Sequence, residues 1–243
     1  MADLDRIQKF YIAYYGRPAD TVGLDYWANT LDNVLGGDET EMVKNFGSSD
    51  QPEYQGLFGT NSIADFVKPV YQNLFNRDVE VDGLNYWLGV YNDAIVEGQD
   101  PNLIRANMVA FIMDGAQGDD ATSVANKLVV AKAFTDSLDT ADEIAAYSDV
   151  ENTAGQSAAR ALLKTVDSDE DSVTAATGNI DSTLDEVVDG ATGNTGTTFT
   201  LKVGEDVLTG TEADDTFNGP IVQGNAETPL NTLESLDMLD GSG

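Results

Sequence analysis

Cysteine and histidine are absent from the 243 residues, and bases are scarce: 12 Lys and Arg stand against 43 Asp and Glu, a formal charge of −31. Without thiol or imidazole there is no Cys nucleophile, no Ser-His-Asp triad, no tetrahedral zinc site of the usual kind and no disulfide framework. So few bases, widely scattered, also argue against a nucleic-acid partner, because a phosphate-binding surface needs clustered Lys and Arg. No apolar run approaches the roughly 18 residues that a membrane span requires. The amino-terminal MADLDRIQKF has two aspartates and no apolar stretch, so by composition no Sec-type signal peptide is expected. What the chain has in excess is carboxylate, and a hard, all-oxygen ligand set suits calcium, less well magnesium.

The chain is 41% hydrophobic, with two Trp, nine Tyr and nine Phe, enough to bury a core. Its most informative feature is an internal repeat at an offset of sixty residues. Residues 7–27 read IQKFYIAYYGRPADTVGLDYW and residues 67–87 read VKPVYQNLFNRDVEVDGLNYW. Tyr11 matches Tyr71, Tyr15 matches Phe75, Arg17 matches Arg77, and the pentapeptide Gly23 to Trp27 matches Gly83 to Trp87. Each copy predicts a helix, a tight polar corner and a second helix. Leu4, Ile7, Phe10, Tyr11 and Tyr14 recur at three- and four-residue steps and give one apolar face, and Gly16 falls where a C-cap glycine is expected. Pro18 then breaks the helix, and Asp20 or Thr21 caps the next. In the second copy Asn76 takes the left-handed position, and Asp82 is the expected cap.

Further amphipathic stretches cover Glu41 to Phe46, Ile104 to Met113, Ser123 to Leu138, Ala158 to Val166 and Asp181 to Val188, the last ended by Gly190. Thr140 to Glu143 has capping-box spacing. The expected class is mainly α: a multi-helix amino-terminal domain of repeated helix-corner-helix units over 1–190, with eight to ten short helices. Residues 191–200 are Gly/Thr-rich and read as a linker. The run Asp167-Ser168-Asp169-Glu170-Asp171 reads as a solvated helix start, with a metal shared with Asp136 or Asp139 as the alternative.

From 201 to 243 a second repeat has period nine. Asp206-Val207-Leu208-Thr209-Gly210 is followed by Asp215-Thr216-Phe217-Asn218-Gly219, and a third unit, Asp237-Met238-Leu239-Asp240-Gly241, comes after an insertion. The last residues begin a unit that they do not finish, so the expectation is a piece of a longer chain. Such spacing is the pattern of calcium-binding parallel β-rolls, in which a short strand buries its apolar residue and an adjoining turn bends around a cation. The expected calcium ligands are Asp206, Gly210, Glu212, Asp214, Asp215, Asp237 and Asp240. Thr211 and Ala213 depart from the pattern, which prefers glycine there. Two or three units stack poorly alone, so this start of a β-roll should order only with Ca2+.

The motif Tyr-x-x-x-x-Gly-Arg-x-x-Asp-x-x-Gly-Leu-x-Tyr-Trp, at Tyr11 to Trp27 and more loosely at Tyr71 to Trp87, resembles the helical domain of type I-secreted bacterial surface proteins. The LTGTEADDTF stretch resembles the onset of RTX repeats. Their order is similar to the amino-terminal region of RTX-type S-layer proteins of the Caulobacter kind. That resemblance implies a secreted, cell-surface protein of a Gram-negative bacterium, self-assembling into a lattice, with a helical domain that anchors it to lipopolysaccharide O-antigen through calcium. The alternatives are the amino-terminal part of a type I-secreted adhesin, or the non-catalytic flank of an RTX exoenzyme. Candidate sugar-stacking residues are Tyr14, Tyr26 and Tyr86, while Trp27 and Trp87, at helical spacing with Leu24 and Leu84, are expected in the core. Arg17 and Arg77 are expected to bond the corner backbone, or to pair with Asp20 and Glu80. No carboxylate pair is marked as catalytic, and the expectation is a protein that is not an enzyme.

Overall fold

A computed structural model describes residues 2–47, 52–58, 62–192, 198–201, 207–209, 216–219, 221–223, 229–231 and 238–240. The chain divides into two compact units, residues 1–188 and 189–243. The protein is mainly helical.

In the first unit the copy-one helix α1 (Leu4–Tyr15) is the centre. Asp3 caps its start by accepting from the Arg6 amide at 3.3 Å, and Gly16, at φ 66°, closes its end. The expected single apolar face is too narrow a description. Every residue from Phe10 to Tyr15 is buried, because the run FYIAYY is apolar on all sides and neighbours cover it all round. Those neighbours include α2 (Thr21–Asn33), α3 (Glu39–Phe46), α4 (Pro52–Leu57), α5 (Ile63–Phe75), α7 (Pro101–Asp114) and α8 (Asp119–Ser137). Phe46 sits among the rings of Phe10, Tyr11, Tyr14, Tyr15 and Trp27. The one polar side chain buried in α1, Gln8, donates to the Thr135 hydroxyl at 3.1 Å.

The copy-two helices are α5 and α6 (Val81–Val96); α9 (Ala141–Ser148), α10 (Thr153–Lys164), α11 (Glu170–Gly178) and α12 (Ile180–Thr192) follow. That makes twelve helices among the described residues, more than the eight to ten expected. Thr140 and Glu143 form the expected capping box. Asn76 adopts the left-handed conformation at φ 54°, as expected of it. Two expectations need correction. Glu80, not Asp82, is the N-cap of α6; Asp82 lies inside the first turn. Nor does Gly190 end the last helix: α12 runs through it to Thr192, and glycine is tolerated there as in any helix at a modest cost.

Both copy-one and copy-two helices have their last carbonyls satisfied from afar, which is what lets them end buried. Asn73 donates to the Ala13 and Tyr14 carbonyls at 3.1 and 3.4 Å, and Arg160 Nε to the Tyr15 carbonyl at 2.8 Å. At the end of α5, Lys127 donates to the Asn73 carbonyl at 2.7 Å and to Asn76 Oδ1 at 2.6 Å. Burial pushes the Lys127 ammonium down to about 7, with Lys164 adding to the shift.

The second unit contains short strands. β1 (Thr198–Thr200) pairs in parallel with β3 (Thr216–Asn218), β2 (Val207–Thr209) in parallel with β6 (Met238–Asp240), and β4 (Ile221–Gln223) antiparallel with β5 (Pro229–Asn231). The expected linker therefore ends in a strand. Phe199, Leu208 and Phe217 are the middle residues of β1, β2 and β3 and stand nine apart. Phe199 is opposite Phe217, and Leu208 is opposite Leu239. β1 thus pairs with the strand eighteen residues on rather than with the next, whereas β4 pairs with its sequence neighbour β5.

Candidate functional site

The sixty-residue repeat becomes two corners of the same construction. In the first, α1 ends at Gly16 and the Arg17 guanidinium lies within 5.2 to 5.8 Å of the ring centres of Tyr11, Tyr15 and Tyr147. Its Nε and Nη2 donate to the two oxygens of Glu53 at 2.8 and 2.7 Å, and Nη1 donates to the Pro18 carbonyl at 3.0 Å. Burial opposes the Arg17 charge, but the Glu53 carboxylate overrides it and holds the pKa above the ordinary arginine value. Arg160 makes a second ion pair with Glu53. Asp20 lies 3.8 Å from Arg17 Nη1, accepts from the Ser148 hydroxyl at 3.3 Å, and caps α2 by accepting from the Gly23 amide at 2.6 Å.

Trp27 is buried and stacked on Phe46 at 4.7 Å, near the Tyr11 hydroxyl. That hydroxyl explains Gly23, since a Cβ there would stand 2.2 Å from it. Tyr26 lies edge-on to Trp27, centroids 5.0 Å apart, and is 59% exposed. A cleft of about 360 Å³ opens beside it, lined among others by Tyr11, Arg17, Asp20, Glu53 and Ser148.

The second corner repeats the design. Arg77 donates from Nε and Nη2 to Asp120 at 3.0 and 2.7 Å, and from Nη1 to Glu80 at 2.6 Å and to the Asp78 carbonyl at 3.2 Å. Trp87 is buried and donates to the Tyr71 hydroxyl at 3.0 Å. Tyr86 lies edge-on to Trp87 at 5.0 Å and is 62% exposed.

Three of the candidate glycan residues therefore part company. Tyr26 and Tyr86 present their rings to solvent at equivalent places. Tyr14 is fully buried and offers no ring to solvent as they do: it belongs to the core, its hydroxyl beside Gly47 without a hydrogen-bond partner among the described residues. Both tryptophans are core, as expected. Both arginines do bond the corner backbone and reach Asp20 and Glu80. Their bidentate partners, Glu53 and Asp120, lie 36 and 43 residues away, and no local spacing points to them.

Of the expected calcium ligands, Asp206, Gly210, Glu212, Asp214, Asp215 and Asp237 lie outside the described residues, and Asp240 is in β6 opposite Thr209. Among the described residues no group of three acids is placed to hold a metal. Asp169 instead caps α11, accepting from the Asp171 amide at 3.0 Å, and Asp167 accepts from the Asp169 amide at 2.8 Å.

Comparison with known families matches residues 44–97 to a domain of unknown function, DUF4214, a segment that takes in α5, the second corner and α6. No curated protein and no solved structure matches the chain. Among the described residues no helix is long and apolar enough to cross a membrane.

Proposed function

We propose that this chain is a non-enzymatic structural protein of the bacterial cell surface, exported by type I secretion, whose helical unit anchors a calcium-dependent S-layer lattice to lipopolysaccharide. The observation that carries the reading is the repeated exposure of Tyr26 and Tyr86. The other marked residues of the two motifs have structural jobs: the arginines tie distant acids, the tryptophans fill the core, the glycine or asparagine ends the helix. Of the aromatic side chains in the two motifs these two tyrosines are the exposed ones, at the same place twice, each edge-on to the buried tryptophan beside it. A ring fixed in that way loses little freedom on meeting the flat face of a sugar. At the first corner, Asp20, Glu53 and Ser148 line the adjoining cleft and supply oxygens to accept from sugar hydroxyls. Two equivalent platforms suit a polymer of repeating sugars such as O-antigen, because binding at one raises the effective concentration at the other.

The second unit supports the calcium half of the reading. The centres of β1, β2 and β3 stand nine residues apart and β1 pairs in parallel with β3, which fits a β-roll with alternating sheets, and the acids of that segment are hard oxygen donors of the kind calcium takes. The carboxylates at the corners hold arginines and cap helices, which favours a structural over a catalytic role.

The test is co-sedimentation with purified lipopolysaccharide in millimolar calcium and in EDTA. Calcium-dependent binding to O-antigen-bearing material, weakened about tenfold or more in Tyr26→Ala/Tyr86→Ala with helix content unchanged, is the expected result. No binding in either condition removes the anchoring function and leaves the adhesin reading ahead.

A further inference from the structure

A second cavity, of about 490 Å³, lies where the end of α1 meets α4, α5 and α10. Lys68, Arg160 and Lys164 are among its lining, and none of the described lining residues is an acid. In a chain with 43 acids and 12 bases, that composition is the reverse of the overall balance.

The three cations are differently held. Arg160 is anchored, with Nε on the Tyr15 carbonyl at 2.8 Å and Nη2 on Glu53. Glu53 is already shared with Arg17, so one carboxylate serves two guanidinium groups. Lys68 and Lys164 are exposed, and neither ammonium has an ion pair or hydrogen bond among the described residues. The Lys164 charge reaches as far as the buried Lys127. Unneutralised like charges gathered on one concave surface are stabilised by an anion. The rest of the lining is aromatic and apolar, with Tyr15, Phe58, Leu57 and Pro69 beside Gln72 and Asn73. A bare ion would fill little of such a volume, and the apolar wall would give it nothing; the fit is an oxyanion carried on a ring with apolar faces.

We propose that this cavity is a binding site for an acidic sugar, its phosphate or carboxylate received by Lys68, Lys164 and Arg160 and its ring lying against Phe58 and Tyr15. The site is separate from the Tyr26 and Tyr86 platforms and needs no calcium, so it stands or falls apart from the lattice reading.

The experiment is isothermal titration of the whole 243-residue chain in EDTA with four probes: glucose 1-phosphate, galacturonic acid, glucose and inorganic phosphate, each up to about 10 mM. One or both acidic sugars should bind saturably and more tightly than glucose or inorganic phosphate, and which of the two wins assigns the oxyanion as phosphate or carboxylate. Lys68→Ala/Lys164→Ala should weaken that binding about tenfold or more, since both lost contacts are charge-assisted, with helix content unchanged by circular dichroism. Arg160 is left intact because it holds the first corner together. Tyr26→Ala/Tyr86→Ala should bind these probes as the parent does. The proposal is overturned if neither acidic sugar binds, if glucose or inorganic phosphate binds equally well, or if the double lysine variant binds as tightly as the parent.

Discussion

The two corners carry one motif in two settings. Around Arg17 the helices close over the ion pair, leaving 6% of the arginine side chain and 10% of Glu53 exposed; around Arg77 the figures are 36% for the arginine and 25% for Asp120. The bonding pattern hardly changes: two bonds to a distant acid, one to the next carbonyl, and a carboxylate three residues on. The motif therefore specifies how the chain turns, and burial is decided by what packs on the turn afterwards. Energetics should differ where geometry does not, because an ion pair out of water loses far more when one partner is removed than an ion pair in it.

Removing the arginines tests that difference most strongly. Arg17→Ala leaves Glu53 buried with Arg160 alone and should lower unfolding free energy by about 3–5 kcal/mol, whereas Arg77→Ala should cost about 1 kcal/mol or less, both read from urea denaturation. Equal losses would mean that burial does not separate the corners. The tryptophans are the control, being 7% and 8% exposed. Trp27→Ala and Trp87→Ala should each cost about 3–5 kcal/mol, and a stable variant that loses only glycan binding would overturn their place in the core.

The glycines sharpen the comparison further. A Cβ on Gly23 collides with the Tyr11 hydroxyl, so Gly23→Ala should cost about 1–3 kcal/mol. On Gly83 the nearest atom is a Val79 methyl at 3.3 Å, and Tyr71 is 3.9 Å away; there the gain in helix propensity offsets the crowding and the change should be within about 1 kcal/mol of zero. A buried cation adds a test by pH. Lys127 holds its proton less well in the folded chain than in the unfolded one, so its burial opposes folding fully below pH about 7, and that penalty is relieved as pH rises from there towards the ordinary lysine value. Thermal unfolding between pH 7 and 9.5 should therefore show a rise in stability that Lys127→Met lacks.

Much of this was legible in local sequence. Gly16, Asn76, Asp20 and the Thr140 to Glu143 box occupy the places that their backbone chemistry predicts. What escaped was long-range or weakly patterned. Glu53 and Asp120 are two acids among 43, and only the folded chain selects them. The helix α4 is short and lacks a strong apolar period, while the buried run Phe10 to Tyr15 hides the central position of α1 behind an ordinary amphipathic spacing; the acidic start of α11, by contrast, was readable at Asp167 to Asp171. Tyr14 falls on the helical period of Phe10 and Tyr11 and was readable as core from that alone. Phe199, nine residues before Leu208, was the available sign that the strand repeat begins earlier than residue 201.

The proposed function divides the chain into a helical unit held by packing and ion pairs and a strand-bearing unit that depends on calcium. Amide hydrogen exchange of the whole chain, in millimolar calcium and in EDTA, tests it directly. Protection of α1, α5 and α8 should be the same in both, and protection of the strand segments between 198 and 240 should appear with calcium and vanish in EDTA. Loss of helix protection in EDTA, or equal protection of the strands in both conditions, would contradict that division.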